Sequence, residues 1–412
     1  MTPEEETTTE AWRMAYQEYC TKIPLEERNL QNVFTPYDLS KEMISKLAEY
    51  CTSFNKLTFC IFNLEFADVL MYDYGVSGGS ITFITDSVNK ARFAASERYS
   101  GVKTEVVNYM DLLNNDGSEG DKYNMKFDVI IANYPFQELK EGNTKSKAIW
   151  PSFVKKSFDL CKENGYICAI HPSGWRNVGG MFKDIQNILK SKAMKFLKLH
   201  SFKDGSDIFG CKTTFDYYVL QNTDNNSLTD IVFEDGVEER VDISNLEFIP
   251  NEHFDEVMSL VAKVGEEKVK IINNSSYHHQ REHMSKEQSN IFRYPCVYTV
   301  RSPLKNNEPT FYFSSTTDKG HFGIHKIIFA GGASGVVIDK NGEYGLTEFA
   351  SAIVDDPKNL DNIKKALQSE RFIRNIMGFK ASLGDKYNRK IIATFRKDFW
   401  KEFVDEKGNE LP

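Results

Sequence analysis

The chain has 412 residues, with 51 Lys and Arg against 59 Asp and Glu for a formal net charge of −8, and 41% of its residues are hydrophobic. That balance excludes collagen, coiled coil and wholesale disorder, and the length allows two or three domains that each bury a core. No stretch approaches the run of about 20 apolar residues that spans a bilayer, and the opening MTPEEETTTE is acidic, so the expectation is a cytoplasmic protein with no membrane partner.

Residues 33–222 alternate short apolar runs with amphipathic stretches. KLTFCIFNLEF, SITFITD, KTEVVNY, FDVIIANY, YICAIHP and FDYYVLQN read as strands, which together predict an α/β sheet. FDVIIA is almost unbroken in its apolar character, as for a central strand covered on both faces, and its end should open onto a site. TDIVFEDGVEERVDI predicts a hairpin around Gly236, NEHFDEVMSLVAKV a connecting helix, and a domain boundary falls near residue 250. Beyond it, YPCVYTV, TFYFSS and KIIFA are β-prone, and a helical stretch runs from about Asn362 to Met377. The segment FAGGASGVVIDKNGEYGLTEFA lacks the GK[ST] of a phosphate loop, so Gly331 and Gly332 read as turn residues. The seven cysteines show no CxxC or CxxC…H spacing, so reduced thiols and no metal site are expected.

Charge is divided unevenly. Residues 271–412 carry 21 Lys and Arg against 17 Asp and Glu, a net of +4, which leaves −12 for the first 270 residues. Five of the eight histidines lie between 271 and 330, alongside Arg281, Arg293, Arg301 and Lys305. A polyanion meets less repulsion there, although so small an excess is also ordinary scatter. The basic stretch KYNRKIIATFRKDFWK reads equally as a solvated face or as a strip that contacts a nucleic acid backbone.

The segment DVIIANYPFQ carries the most chemistry, because it sets Asn133, Tyr134, Pro135 and Phe136 just after a buried strand. It resembles the (Asn/Asp/Ser)-Pro-Pro-(Tyr/Phe) motif of amino-methyltransferases. The continuation KSKAIWPSFVKKSFDLCKENGYICAIHPSGWRN resembles the segment that follows this motif in DNA adenine methyltransferases of the restriction-modification type. NVFTPYDLSKEMISKL resembles that family's first motif, with Thr35 and Pro36 at the matching positions. Tyr134 departs from the usual first proline, and the Asp-x-x-x-Gly-x-Gly turn of the cofactor site is absent, replaced by IFNLEFADVL.

The resemblance implies a Rossmann-like class I methyltransferase domain at 33–250, after an N-terminal extension at 1–32, and a C-terminal α+β target-recognition domain at 251–412. It implies S-adenosylmethionine as cofactor, double-stranded DNA as partner, and a separate restriction endonuclease if the chain serves a restriction system. By the same resemblance, Asn133 and the Tyr134 carbonyl accept from the target amine, Pro135 stiffens the turn, and Phe136 stacks on the extruded base with Phe215, Tyr217 or Tyr218. Thr35, Pro36, Asn63, Glu65, Asp86 and Asp111 are the cofactor candidates, with Asp86 on the ribose hydroxyls and Asp111 on the cofactor's adenine amine. Taken singly, each aspartate also reads as a cap or turn residue, and the aromatic strand as core. Two alternatives stand beside adenine methylation of DNA: an inactive methyltransferase-like nucleic-acid-binding protein, and an RNA adenine methyltransferase.

Overall fold

The computed structural model describes residues 3–22, 34–114, 125–137, 147–210, 212–225, 227–330, 335–376, 387–405 and 407–411. Gly331, Gly332 and Met377 lie outside the described residues. The chain divides into two units, Met1–Trp175 with Gly180–Leu246, and Arg176–Gly179 with Glu247–Pro412.

In the first unit the strands are β1 (Phe59–Ile61), β2 (Ile81–Thr85), β3 (Lys103–Val106), β4 (Phe127–Asn133), β5 (Cys161–Pro172), β6 (Lys192–His200), β7 (Phe215–Asp224), β8 (Thr229–Val232) and β9 (Glu238–Val241). They form one nine-stranded sheet in the order β3-β2-β1-β4-β5-β7-β6-β8-β9. β1 to β5 are mutually parallel, and β7 runs antiparallel between β5 and β6. Helices α1 (Pro3–Lys22), α2 (Tyr37–Ala48), α3 (Leu64–Tyr72), α4 (Val88–Ala94), α5 (Tyr109–Asn114), α6 (Trp150–Leu160), α7 (Lys183–Ser191) and α8 (Phe202–Phe209) accompany the sheet. This is the Rossmann-like arrangement that the sequence predicts. Strand order reverses at β1, which has β2 on one side and β4 on the other, and in such sheets the crevice at the carboxyl ends of these strands is the natural binding place.

Local chemistry shapes that edge. Of the apolar run KLTFCIFNLEF, only Phe59–Ile61 is strand, because the chain turns at Asn63 and continues as α3, whose residues Leu64 to Leu70 are all buried. A helix covered on every side lacks the apolar stripe that separates helix from strand in a sequence. VVNYMDLL likewise leaves the sheet after Val106: the Asn108 side-chain oxygen accepts from the N–H groups of Met110 and Asp111 and starts α5. KAMKFLKLH, absent from the expected strands, forms β6, where lysines three apart imitate a helix period and a bulge lies between Met194 and Phe196. Gly165 permits β5 to pass β4 closely, since a Cβ there would lie 2.7 Å from the Asp128 carbonyl oxygen. The predicted hairpin is β8 and β9, with Gly236 at φ +81°.

The second unit is built on two four-stranded sheets. One has the order β10 (Lys270–Ile272), β17 (Ala350–Val354), β14 (Lys326–Ala330), β15 (Val336–Asp339). The other has the order β11 (Met284–Ser285), β13 (Pro309–Ser314), β12 (Tyr294–Val300), β16 (Gly345–Leu346). α9 (Phe254–Leu260), α10 (Leu360–Gln368) and α11 (Arg389–Ile392) complete it, and the amphipathic α10 packs Ile363 and Leu367 into a core with Ile327, Phe329 and Ile353. Lys326 and Asp339, both fully buried, form an ion pair of 2.7 Å. Removing either partner would leave a buried charge, at a cost of about 3–5 kcal/mol. Among the described residues no helix is long and apolar enough to cross a membrane, and six cysteines are free.

Candidate active site

The carboxyl ends of β1 and β4 gather polar residues from three distant stretches. The backbone N–H of Asn133, the last residue of β4, donates to Asn63 Oδ1 at 3.0 Å. Asn133 Nδ2 donates to the Thr35 hydroxyl at 3.3 Å, and the Thr35 N–H donates to Glu65 Oε1 at 2.8 Å. Thr35, Asn63, Glu65 and Asn133 are all buried. With its nitrogen committed to Thr35, Asn133 keeps Oδ1 buried and without a hydrogen-bond partner among the described residues, and Glu65 Oε2 is in the same state. A buried acceptor left unpaired costs about 1–3 kcal/mol, so two of them at one sheet edge mark a place that hydrogen-bond donors would fill.

Charge collects at the same edge. Burial raises the Glu65 carboxyl pKa, and Lys90, itself buried on α4, opposes that rise. Asp86 directly follows β2, and burial pushes it up to about 6, again against Lys90. Two carboxylates therefore face the same lysine.

The NYPF turn follows. The Tyr134 N–H donates to the Ile170 carbonyl of β5 at 3.2 Å, and its ring stacks on Phe153 of α6 at 5.9 Å. Its hydroxyl shares a hydrogen bond of 2.5 Å with Ser157. The side chain standing in place of the usual proline thus fills the core against α6. Pro135 is buried, whereas Phe136 is partly exposed and lies edge-on to Phe209 of α8 at 6.4 Å. Phe209 touches Phe215 at 4.9 Å, and Phe215 stacks on His200 at 4.3 Å.

The remaining candidates are dispersed. Phe215, Tyr217 and Tyr218 are buried in the core, where the Tyr217 hydroxyl donates to Glu42 at 2.7 Å, so Phe136 is the one of the base-stacking set that reaches solvent. Pro36 occupies the cap position before α2, a place its fixed φ suits. Asp111 is exposed in the first turn of α5. Sequence reasoning missed Lys90, which looks like any helix lysine, and it missed α1. There the spacing of Trp12, Tyr16 and Tyr19 at i, i+4 and i+7 was a readable sign of a helix with one buried face.

In the second unit, His278, His279 and Glu348 each bring a ligand-type atom within 4.8 Å of the others. Glu348 already accepts from the His279 N–H at 3.1 Å and holds the His279 ring through Nδ1. The contact pins the 278–279 turn.

Residues 44–209 match the family model of the Eco57I restriction-modification methylase. Over that span the chain is similar to a restriction-modification methylase. The matched span includes Asn63, Glu65, Asp86 and the NYPF turn, and it leaves Thr35, Pro36 and α1 outside. A comparison with curated proteins finds no match. Among solved structures, a chain of a type I restriction-modification system is similar at 14% identity and a TM-score of 0.40, over 60% of this chain and 54% of that one. The methyltransferase subunit of a type I system from Streptococcus thermophilus is similar at 13% identity and a TM-score of 0.35, over 50% and 49%. The type IIL restriction-modification enzyme MmeI, solved in complex with DNA, is similar at 10% and a TM-score of 0.48, over 87% and 64%. The chain spans about half the length of the first two.

Proposed function

We propose that the chain transfers a methyl group from S-adenosylmethionine to the N6 amine of adenine in duplex DNA, for restriction-modification or for protection of a phage genome. The observation that carries this reading is the Asn133 amide, anchored through its nitrogen to Thr35 so that a buried, unpaired oxygen remains at the end of β4.

The lone pair of an exocyclic amine is delocalised into its ring. Acceptors on both of its N–H groups pull it toward tetrahedral geometry and free the lone pair for attack. Asn133 Oδ1 is one such acceptor and the Tyr134 main-chain carbonyl the other. Pro135 holds the turn between them and Phe136, the partly exposed aromatic, stacks on the extruded base. When bound, S-adenosylmethionine supplies an electrophilic methyl group. The residues present fit it: Glu65 Oε2 offers an unpaired carboxylate oxygen, and Asp86 offers a carboxylate to ribose hydroxyls. Thr35 and Asn63 line the same edge, Pro36 holds the start of α2 beside Thr35, and Asp111 takes the cofactor's adenine amine. The second unit, which includes residues 271–412 and their net +4, recognises the target, and cutting belongs to a separate endonuclease.

The test is transfer of a labelled methyl group to unmethylated genomic DNA, followed by nucleoside analysis. Label in N6-methyladenine is expected. Label in methylcytosine, or only in RNA, would replace this reading.

A further inference from the structure

Helix α1 is fastened to α3 by a buried ion pair. Arg13 Nε donates to Asp68 Oδ2 at 2.5 Å, and the same guanidinium reaches Asp73 at 3.2 Å. Arg98 holds the other Asp68 oxygen at 2.6 Å. Glu65 lies one turn before Asp68 on α3, and Tyr16 one turn after Arg13 on α1, so each pair shares a helix face. Tyr16 packs in the same buried cluster as Leu64 and Phe66, which flank Glu65 in the first turn of α3. Burial and the Glu65 carboxylate together push the Tyr16 phenol well above its ordinary pKa. The ring is held on all sides: it stacks on Trp12 at 5.2 Å and meets Phe93 at 5.4 Å and Phe34 at 6.1 Å. Phe34 immediately precedes Thr35, the residue whose N–H Glu65 accepts.

Two polar atoms are left over in this packing. Both are buried: the Tyr16 hydroxyl has the Cys20 thiol as a neighbour to which it can donate and keeps its lone pairs for accepting, and Glu65 Oε2 has no hydrogen-bond partner among the described residues. A carboxylate only accepts, and a phenol can accept as well as donate, so a group with several N–H donors and a positive charge satisfies both. Burial raises the Glu65 and Asp86 carboxyls against the opposing pull of Lys90, and a cation bound beside them would favour their ionised forms.

We propose that α1 forms a wall of the cofactor site and that Tyr16 is a cofactor-binding residue, its hydroxyl accepting with Glu65 Oε2 from the ammonium of the amino-acid end of S-adenosylmethionine. This rests on the cofactor reading above and extends it to a helix outside the matched span of 44–209.

The test is calorimetry of the full chain with two ligands: S-adenosylmethionine, and 5′-methylthioadenosine, which keeps the nucleoside and sulfur but lacks the amino-acid end. Tyr16→Phe keeps the ring and its packing. It should weaken S-adenosylmethionine on the order of tenfold, as for one hydrogen bond to a charged group, and leave 5′-methylthioadenosine unchanged. In a Glu65→Gln background the same substitution should have a smaller effect. Unchanged affinity for S-adenosylmethionine overturns the proposal, and so does equal weakening of both ligands, which would make Tyr16 a packing residue only. A wild-type chain that binds neither ligand would remove the cofactor reading itself, and that result is seen before any substitution is made.

Discussion

Asn133 and Thr35, 98 residues apart in the chain, are joined by a hydrogen bond of 3.3 Å from the Asn133 amide nitrogen to the Thr35 hydroxyl. An amide carries a donor on one side and an acceptor on the other, so this contact leaves the acceptor unpaired, to face the amine in the proposed reaction. Without the hydroxyl, the amide is free to turn and offer a donor to an amine that already has two. Thr35→Val, which keeps the shape and loses the hydroxyl, should therefore lower kcat for methyl transfer roughly fivefold to tenfold, the worth of about 1 kcal/mol for a neutral hydrogen bond. Thr35→Ser should keep it. Steady-state kinetics on duplex DNA decides, and full activity in the valine variant would remove Thr35 from the orienting role.

If Asp86 meets the cofactor as proposed, binding should depend on pH. Burial raises its carboxyl to about 6, so the free chain holds a proton there at acid pH. Ribose hydroxyls donate best to the ionised form. Affinity for S-adenosylmethionine should be full above pH 7 and decline as pH falls through about 6, by up to tenfold per pH unit once the carboxyl is mostly protonated. In Asp86→Asn affinity should be lower and flat with pH between 5 and 7, in intervals of about half a unit. A wild-type titration with no inflection in that range would mean that Asp86 does not meet the cofactor.

Recognition of DNA by the second unit should depend on salt. Arg281 and Arg293 are exposed there, and each phosphate contact contributes about −0.9 to the slope of log affinity against log salt. Replacing both by alanine should make the slope shallower by about 1.8 if both meet phosphates. Binding curves at four salt concentrations measure it. An unchanged slope would place the phosphate contacts elsewhere in the chain.

The legible parts of the fold were those where one physical signal dominates. FDVIIA has the continuous apolar character of a strand covered on both faces, and it forms β4 with Asn133 at its end. Gly236 allowed the hairpin to be placed because its φ of +81° favours glycine. α3 was hidden because a helix buried all round has no polar face to betray it, so Glu65 was read at the end of a strand and stands in the first turn of a helix. The hydrogen-bonded run through Thr35, Asn63, Glu65 and Asn133 was legible only as separate motifs, since contacts between stretches so far apart depend on strand order. Tyr134 shows the same limit: the sequence marks it as an intruder in the motif, and only its ring on Phe153 shows that its side chain fills the core.

The central claim is that Asn133 acts on the target amine and contributes little to holding the fold or the cofactor. The most direct test is Asn133→Ala, with labelled N6-methyladenine formation on duplex DNA and calorimetric affinity for S-adenosylmethionine measured on the same preparation. Loss of the label with cofactor affinity within about threefold of wild type, well under the 1.4 kcal/mol of a tenfold change, is the predicted result. Undiminished methyladenine formation by the alanine variant would contradict it.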